Sequence, residues 1–227
     1  MVLAAGLGTR MRPLTNDRPK ALVEVAGRTL IDHTLDRLAE AGVETAVVNV
    51  HHFADLVEDH LARRRGGPRI VISDERAGLL DSGGGIAHAA LLLGEEPIFV
   101  ANTDVPWIEG DTPALTALAR LWDPQAMDIA ILLAARDRSL GFDRPEGFER
   151  DAAGRLTHSN AVHPMPPYVN IGVQLLKPSM VSGTGAFSIL PIWKRLAQEG
   201  RLFGAVMEGF ALHVSDPAMR DAAEQRL

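Results

Sequence analysis

Apolar runs and helical spacings alternate through the first two-thirds of this chain. Residues 2–5, Val-Leu-Ala-Ala, form the short uninterrupted apolar run of a buried parallel strand. A short extended piece at 21–25 ends at Gly27. Residues 29–41 then place Leu30, Ile31, Thr34, Leu35 and Leu38 on one helical face, with Gly42 as the stop. Residues 43–50 are β-branched and almost uncharged, which predicts a second buried strand. After it, Phe53, Leu56, Val57, His60 and Leu61 line one side of a helix. The pattern continues with strand 70–73, helix 86–93, strand 97–101, helix 112–122 with Pro113 in its first position, and strand 127–134. This repetition predicts a Rossmann-like α/β/α sandwich around a mostly parallel sheet.

From 136 to 167 the periodicity fades into Gly, Pro, Asp, Arg and His. The stretch is too long for a plain connection, and small strands at 148–150 and 156–158 would make it part of a lid, 136–176. Residues 168–176 read as a strand. Helix 187–198 presents Phe187, Leu190, Ile192, Trp193 and Leu196, with Gly200 as the stop. Residues 202–207 and 210–214 form a closing pair of strands, and Asp216 ahead of Pro217 caps a last helix, 217–224. No repeat or heptad array appears, so 1–227 is expected to be one domain.

Composition narrows the classes. Hydrophobic residues at 46% and charged residues at 23% are ordinary for a globular chain. The net charge of -6 argues against non-specific nucleic-acid binding. The lack of cysteine excludes a disulfide scaffold and a thiolate metal site, and a cytoplasmic setting fits it best. No apolar run reaches the ~20 residues of a membrane span. No basic segment precedes the first apolar run as in a signal peptide. That first strand begins almost at Met1, so either it is very short or residues precede it. Monomer and homodimer both stay open.

The chemistry concentrates at 2–20. Gly6 and Gly8 let the backbone turn and approach a ligand, and successive N–H groups in such a turn hold anions. Arg10, Arg12, Arg18 and Lys20 face a single acid, Asp17. A solvated basic loop would account equally well for glycines and cations alone. Met11 stands where a dinucleotide fingerprint needs its third glycine, and no Gly-Lys-Ser/Thr of a Walker loop follows. Gly83, Gly84 and Gly85 make a second place where backbone could touch a flat ligand; a hinge is the alternative. Asp104 lies just past the end of strand 97–101, where open α/β sheets bind ligands, and one such carboxylate can anchor Mg²⁺; it could also cap the next turn. Asn49, ending strand 43–50, is a better ligand candidate than His51 or His52. Arg63, Arg64 and Arg65 fit a solvated helix end.

Val-Leu-Ala-Ala-Gly-Leu-Gly-Thr-Arg-Met-Arg-Pro-Leu-Thr, followed by Pro-Lys-Ala-Leu-Val-Glu-Val-Ala-Gly-Arg, closely resembles the signature of the sugar-1-phosphate nucleotidylyltransferases. The resemblance implies a glycosyltransferase-A-type domain without an acyltransferase β-helix. Its substrates would be a nucleoside triphosphate and a sugar 1-phosphate, with no nucleic acid or membrane as partner. It implies nucleotide contacts from Leu3, Ala4, Ala5, Gly6, Gly8, Thr9, Arg10, Asn49, Gly83 and Gly84. Lys20, Asn102 and Asn170 would meet the sugar phosphate, and Arg10, Lys20 and Asp104 would be catalytic. Asp104 and His213 would hold Mg²⁺, or Mn²⁺.

Three departures stand out. Asn102-Thr103-Asp104 replaces the usual Gly-Asp. No Glu-Lys-Pro follows, which leaves Arg136 or Arg144 to replace its lysine. His213-Val214-Ser215-Asp216-Pro217 stands for Asp-Val-Gly-Thr-Pro, so His213 or Asp216 would complete the metal site, or Asp104 would hold it alone. Asp81-Ser82-Gly83-Gly84-Gly85-Ile86 is similar to the loop of the N-acetylmuramate-1-phosphate uridylyltransferase branch. That implies UTP and N-acetylmuramate 1-phosphate or a related hexose 1-phosphate. Guanylyl transfer to mannose 1-phosphate and a catalytically silent sugar-nucleotide sensor are the alternatives.

Overall fold

A computed structural model describes residues 1–227. The chain opens with β1 (Val2–Leu3), the hairpin β2 (Glu24–Val25) and β3 (Arg28–Thr29), and helix α1 (Leu30–Glu40). Then come β4 (Thr45–Val50), α2 (Ala54–Arg63), β5 (Arg69–Asp74), α3 (Asp81–His88) and α4 (Ala90–Leu93). β6 (Ile98–Asn102), β7 (Trp107–Ile108), α5 (Ala114–Leu121), β8 (Ile129–Ala135) and β9 (Ser139–Leu140) follow. The chain closes with β10 (Gly147–Arg150), β11 (Leu156–Ser159), β12 (Tyr168–Leu176), α6 (Leu190–Gln198), β13 (Leu202–Val206), β14 (Phe210–Leu212) and α7 (Pro217–Glu224).

The main sheet runs β5-β4-β1-β6-β12-β8-β13, parallel throughout except for β12, which is antiparallel to both neighbours. Helices cover both faces. Ile31, Leu35 and Leu38 of α1, Val57 and Leu61 of α2, and Leu115 and Leu118 of α5 share one core. Ile86 of α3 and Leu196 of α6 lie in a second core with Val100, Ile131 and Leu133. The expected α/β/α sandwich is what forms. α1 starts as its sequence suggests, with the Thr29 side chain accepting from the Asp32 N–H and Asp32 in the first turn.

One irregularity shapes the molecule. β12 pairs with β6 over Val173–Leu176, but its first residue, Tyr168, pairs with Phe148 of β10 instead. Between the two, the β8–β12 register shifts and Gly172 takes φ 79°. A Cβ on Gly172 would come within 2.9 Å of the Asn102 side chain, so glycine fits where the sheet forks. The β10–β11 hairpin continues from this fork as the small strands expected in the lid.

Four expectations are corrected. β1 is only Val2–Leu3, and Ala4 and Ala5 already belong to the loop. The closing strands do not pair with each other. β13 joins β8 in the main sheet, and β14 joins β7 and β9 in a small separate one. Arg64 is not on a solvated helix end. It is nearly buried and ties α2 to α1 through Asp32 and Asp36. Finally, Gly83, Gly84 and Gly85 lie inside α3, which runs from Asp81 rather than from Ile86.

The glycines are required there by packing. A Cβ on Gly83 would meet the Phe187 ring at 2.5 Å, and one on Gly84 the Gly185 carbonyl oxygen at 2.4 Å. α3 thereby lies directly against the backbone of 183–187. Gly84→Ala is therefore expected to destabilise the fold by about 1–3 kcal/mol, as overpacking against backbone does. Urea unfolding would check this; unchanged stability would contradict the packing role.

Candidate active site

The carboxyl ends of β1, β4 and β6 converge on one end of the sheet, with the fork beside them. Two lobes open there and share Leu3, Ser82 and Asn102. The glycine-loop lobe, about 560 Å³, is bounded by residues 3–6, Lys20, Glu75, Asp81 and Asp104. The lid lobe, about 510 Å³, lies under 141–148 against β12 and α6. Each has the size of a small-ligand site.

The glycine loop is held from below. Ala4 N donates to Asn49 Oδ1 at 2.7 Å, and Asn49 Nδ2 donates to Glu75 Oε1 at 2.8 Å. Asn49 and Glu75 are each only 2% exposed. Asn49 lines the glycine-loop lobe, and its amide is engaged in positioning the loop. The room for Glu75 comes from Gly85, where a Cβ would lie 2.8 Å from Oε1. Gly6 faces open space, where a Cβ would meet nothing within 4 Å. Gly8, at φ 61°, takes another role: a Cβ there would lie 2.9 Å from that of Lys20, so its absence lets Lys20 pack close, and its carbonyl accepts from Thr15. Thr9 lies exposed in the following turn, outside both lobes. The N–H groups of Gly83 and Gly84 donate to the Phe187 carbonyl and both residues lie outside the two lobes, which corrects their expected contact with the nucleotide.

Lys20 Nζ lies 2.7 Å from Asp104 Oδ2, with side chains 14% and 23% exposed. Burial pushes the Asp104 carboxyl upward. The neighbouring His213 ring and the charge of Lys20 outweigh it and hold the group well below the usual carboxylate range. His213 arrives because Val214 N donates to the Asp104 carbonyl, at 2.9 Å. Its Nδ1 lies 3.0 Å from the Gly141 carbonyl and its Nε2 3.6 Å from Asp104 Oδ2. A carbonyl only accepts, so Nδ1 carries a hydrogen, and in the neutral ring the Nε2 lone pair turns toward the carboxylate. A cation between the two groups satisfies both, so the donor set fits a divalent metal with two protein ligands. No group of three His, Asp or Glu side chains is assembled to hold one alone. Asp216 instead caps α7, accepting from Met219 N at 3.0 Å.

Other candidates divide between contact and scaffold. Arg10 is exposed, but it lines the lid lobe near Asp216 rather than the glycine-loop lobe. Asn102 is shared by both lobes. Asn170 Oδ1 accepts from Gly172 N at 2.8 Å and so stabilises the fork. Arg136 is corrected from an anion ligand to a brace. Its guanidinium donates to the carbonyls of Phe142, Arg144, Glu146 and Pro166 at 2.6–3.2 Å. Arg144 lines the lid lobe. Glu75, Gln174 and Trp193 line the lobes without having been singled out from sequence. The one readable signal was Gln174, a polar residue inside the apolar strand Val-Gln-Leu-Leu.

A glycine loop after the first strand, a Lys–Asp pair past a central strand and two adjoining lobes suit two substrates bound side by side. The chain belongs to the MobA-like NTP transferase domain family, whose model matches residues 1–182. It is 56% identical to the N-acetylmuramate alpha-1-phosphate uridylyltransferase of Caulobacter vibrioides over 232 residues, covering 100% of this chain and 96% of that one. It is 30% identical to the UTP–glucose-1-phosphate uridylyltransferase AglF of Haloferax volcanii over 244 residues, covering 100% and 95%. The fold matches UDP-glucose pyrophosphorylase complexed with UDP-glucose at a TM-score of 0.81 and 15% identity, covering 99% of this chain and 96% of that one.

Two outcomes follow from this geometry. Arg136→Lys cannot brace four carbonyls, so KM for the lid-lobe substrate should rise roughly tenfold while KM for the nucleotide stays put; steady-state kinetics would show it, and equal rises would contradict it. The Asp104 pKa lies below its unfolded value of about 3.9, so its charge and its stabilising contribution are complete above that value. They are lost only as pH falls through the lower, folded value. Across about pH 6–8 the ratio of wild-type to Asp104→Asn turnover should therefore be flat; a ratio that titrates there would contradict the assignment.

Proposed function

We propose that this protein transfers the uridylyl group of UTP to N-acetylmuramate 1-phosphate and releases pyrophosphate. The Lys20–Asp104 pair in the wall of the glycine-loop lobe carries the mechanism. The 56% identity over the whole chain supports the choice of base and sugar. The Asp81-Ser82-Gly83-Gly84-Gly85-Ile86 segment agrees with that choice.

UTP occupies the glycine-loop lobe, with its phosphates against the backbone of residues 4–6. The sugar phosphate occupies the lid lobe, met by the carboxamides of Asn102 and Asn170. An oxygen of the sugar phosphate attacks the α-phosphorus in line and forms the new P–O bond. The bond to the β-phosphate oxygen breaks, and pyrophosphate leaves with that electron pair. Such a step needs positioning and charge neutralisation more than proton transfer. Lys20, fixed by Asp104, places its charge between the α-phosphate and the incoming phosphate. Arg10, exposed and lining the lid lobe, reaches across from that side to neutralise the departing pyrophosphate. Asp104 and His213 would hold Mg²⁺ or Mn²⁺, which when bound supplies further charge neutralisation at the phosphates. Residues 136–176 act as the lid over the sugar. No helix is long and apolar enough to cross a membrane, and a cytoplasmic site of action is part of this proposal.

The test is pyrophosphate release with product mass, each ribonucleoside triphosphate being crossed against a panel of sugar 1-phosphates. UDP-N-acetylmuramate is the expected product. GDP-mannose, or nucleotide binding without release, would replace the reading. Lys20→Ala should lower kcat about 100-fold or more and leave UTP binding within a few-fold. Unchanged turnover would remove Lys20 from the mechanism. Chelation by EDTA should abolish release, and added Mg²⁺ or Mn²⁺ should restore it; release that persists in EDTA would contradict the metal assignment.

A further inference from the structure

We infer that Gln174 reads the 2-acetamido group of the sugar phosphate and that Trp193 positions it to do so. This rests on the lid lobe being the sugar 1-phosphate site.

Gln174 is on β12, one residue beyond the point where the strand rejoins β6, and is 5% exposed. Its carboxamide bonds to one protein group, the Trp193 indole Nε1, at 2.9 Å. An indole nitrogen only donates, so the atom facing Trp193 must be the Gln174 oxygen, and this fixes which way the amide lies. The Gln174 nitrogen has no protein partner, yet it is not among the buried unsatisfied atoms. It therefore opens into the lid lobe, which both residues line.

A fixed –NH₂ in an otherwise closed wall selects an acceptor. What surrounds it selects further. Phe148 stands edge-on to Trp193, with ring centroids 6.4 Å apart, and Ile189 and Leu190 complete an apolar wall in the same lobe. A donor beside an apolar surface matches a carbonyl oxygen bonded to a methyl group, which is what an acetamido substituent presents. A 2-hydroxyl would leave the apolar wall unfilled. A 2-ammonium would meet donors with a donor. Sites built around one such hydrogen bond discriminate strongly against analogues that lack it.

The test compares kcat/KM for N-acetylglucosamine 1-phosphate and glucose 1-phosphate, which differ only at C2, alongside N-acetylmuramate 1-phosphate. Wild type is expected to favour the acetamido sugar at least about tenfold. Gln174→Leu keeps the volume and removes the donor. It should narrow that preference to about two- or threefold by weakening only the acetamido substrates, with KM for UTP unchanged. Trp193→Phe, which removes the N–H that fixes the amide, should narrow it in the same direction. An equal loss on both sugars, or an unchanged ratio, would reduce Gln174 to a packing residue and overturn the inference. Wild-type protein that transfers uridylyl to no acetamido sugar would instead overturn the function proposed above.

Discussion

The pairing of Lys20 with Asp104 is the interaction on which the site depends. Lys20 follows Pro19 at the start of a short turn, and Asp104 follows the end of β6, so the bond joins the glycine loop to the central sheet across 84 residues. The two side chains are mostly withdrawn from solvent, and each would be costly to leave without the other. The carboxylate holds the lysine ammonium in a fixed place in the wall of the glycine-loop lobe. His213 adds an imidazole beside the same carboxylate, so one anion organises both the lysine and the histidine.

The second constraint is the fork at Gly172. A single residue with positive φ lets β12 leave β6 and join β10. Without that divergence the sheet would be continuous at Asn102, with no space between strands for a second substrate. The lid is then braced from within, because Arg136 gathers carbonyls from 142–146 and 166 rather than meeting a ligand. Gln174 and Trp193 stand at the foot of the same fork. Backbone geometry and substrate selection thus draw on one short stretch of β12.

Much of this was legible in the sequence. Alternating apolar runs and helical faces gave the sandwich, because those signals are local: the buried face of α1 is the one its spacing predicts. The glycine loop, Lys20 and Asp104 stood out by residue type and order. The misses share a cause in contacts between distant segments. Gly83–Gly85 look like a loop in sequence, yet they are helical, and Phe187, Gly185 and Glu75 leave no room there for a side chain. Asn49 resembled a ligand at a strand end, but Ala4 and Glu75 occupy its amide. Arg64 resembled a solvated helix end until Asp32 and Asp36 were brought beside it. β14 was expected to pair with β13, and only the chain's path past Asp104 sends it to β7 and β9.

The central claim is that Lys20 and His213 act by charge and position during one direct displacement, not as nucleophiles. Both are of types that can form covalent intermediates, and both adjoin Asp104. The most direct measurement is the stereochemical course at the α-phosphorus, followed with UTP carrying a single sulfur there in known configuration. One in-line attack by the sugar phosphate predicts inversion. Retention would mean two displacements through a nucleotidylated side chain, and would contradict the account.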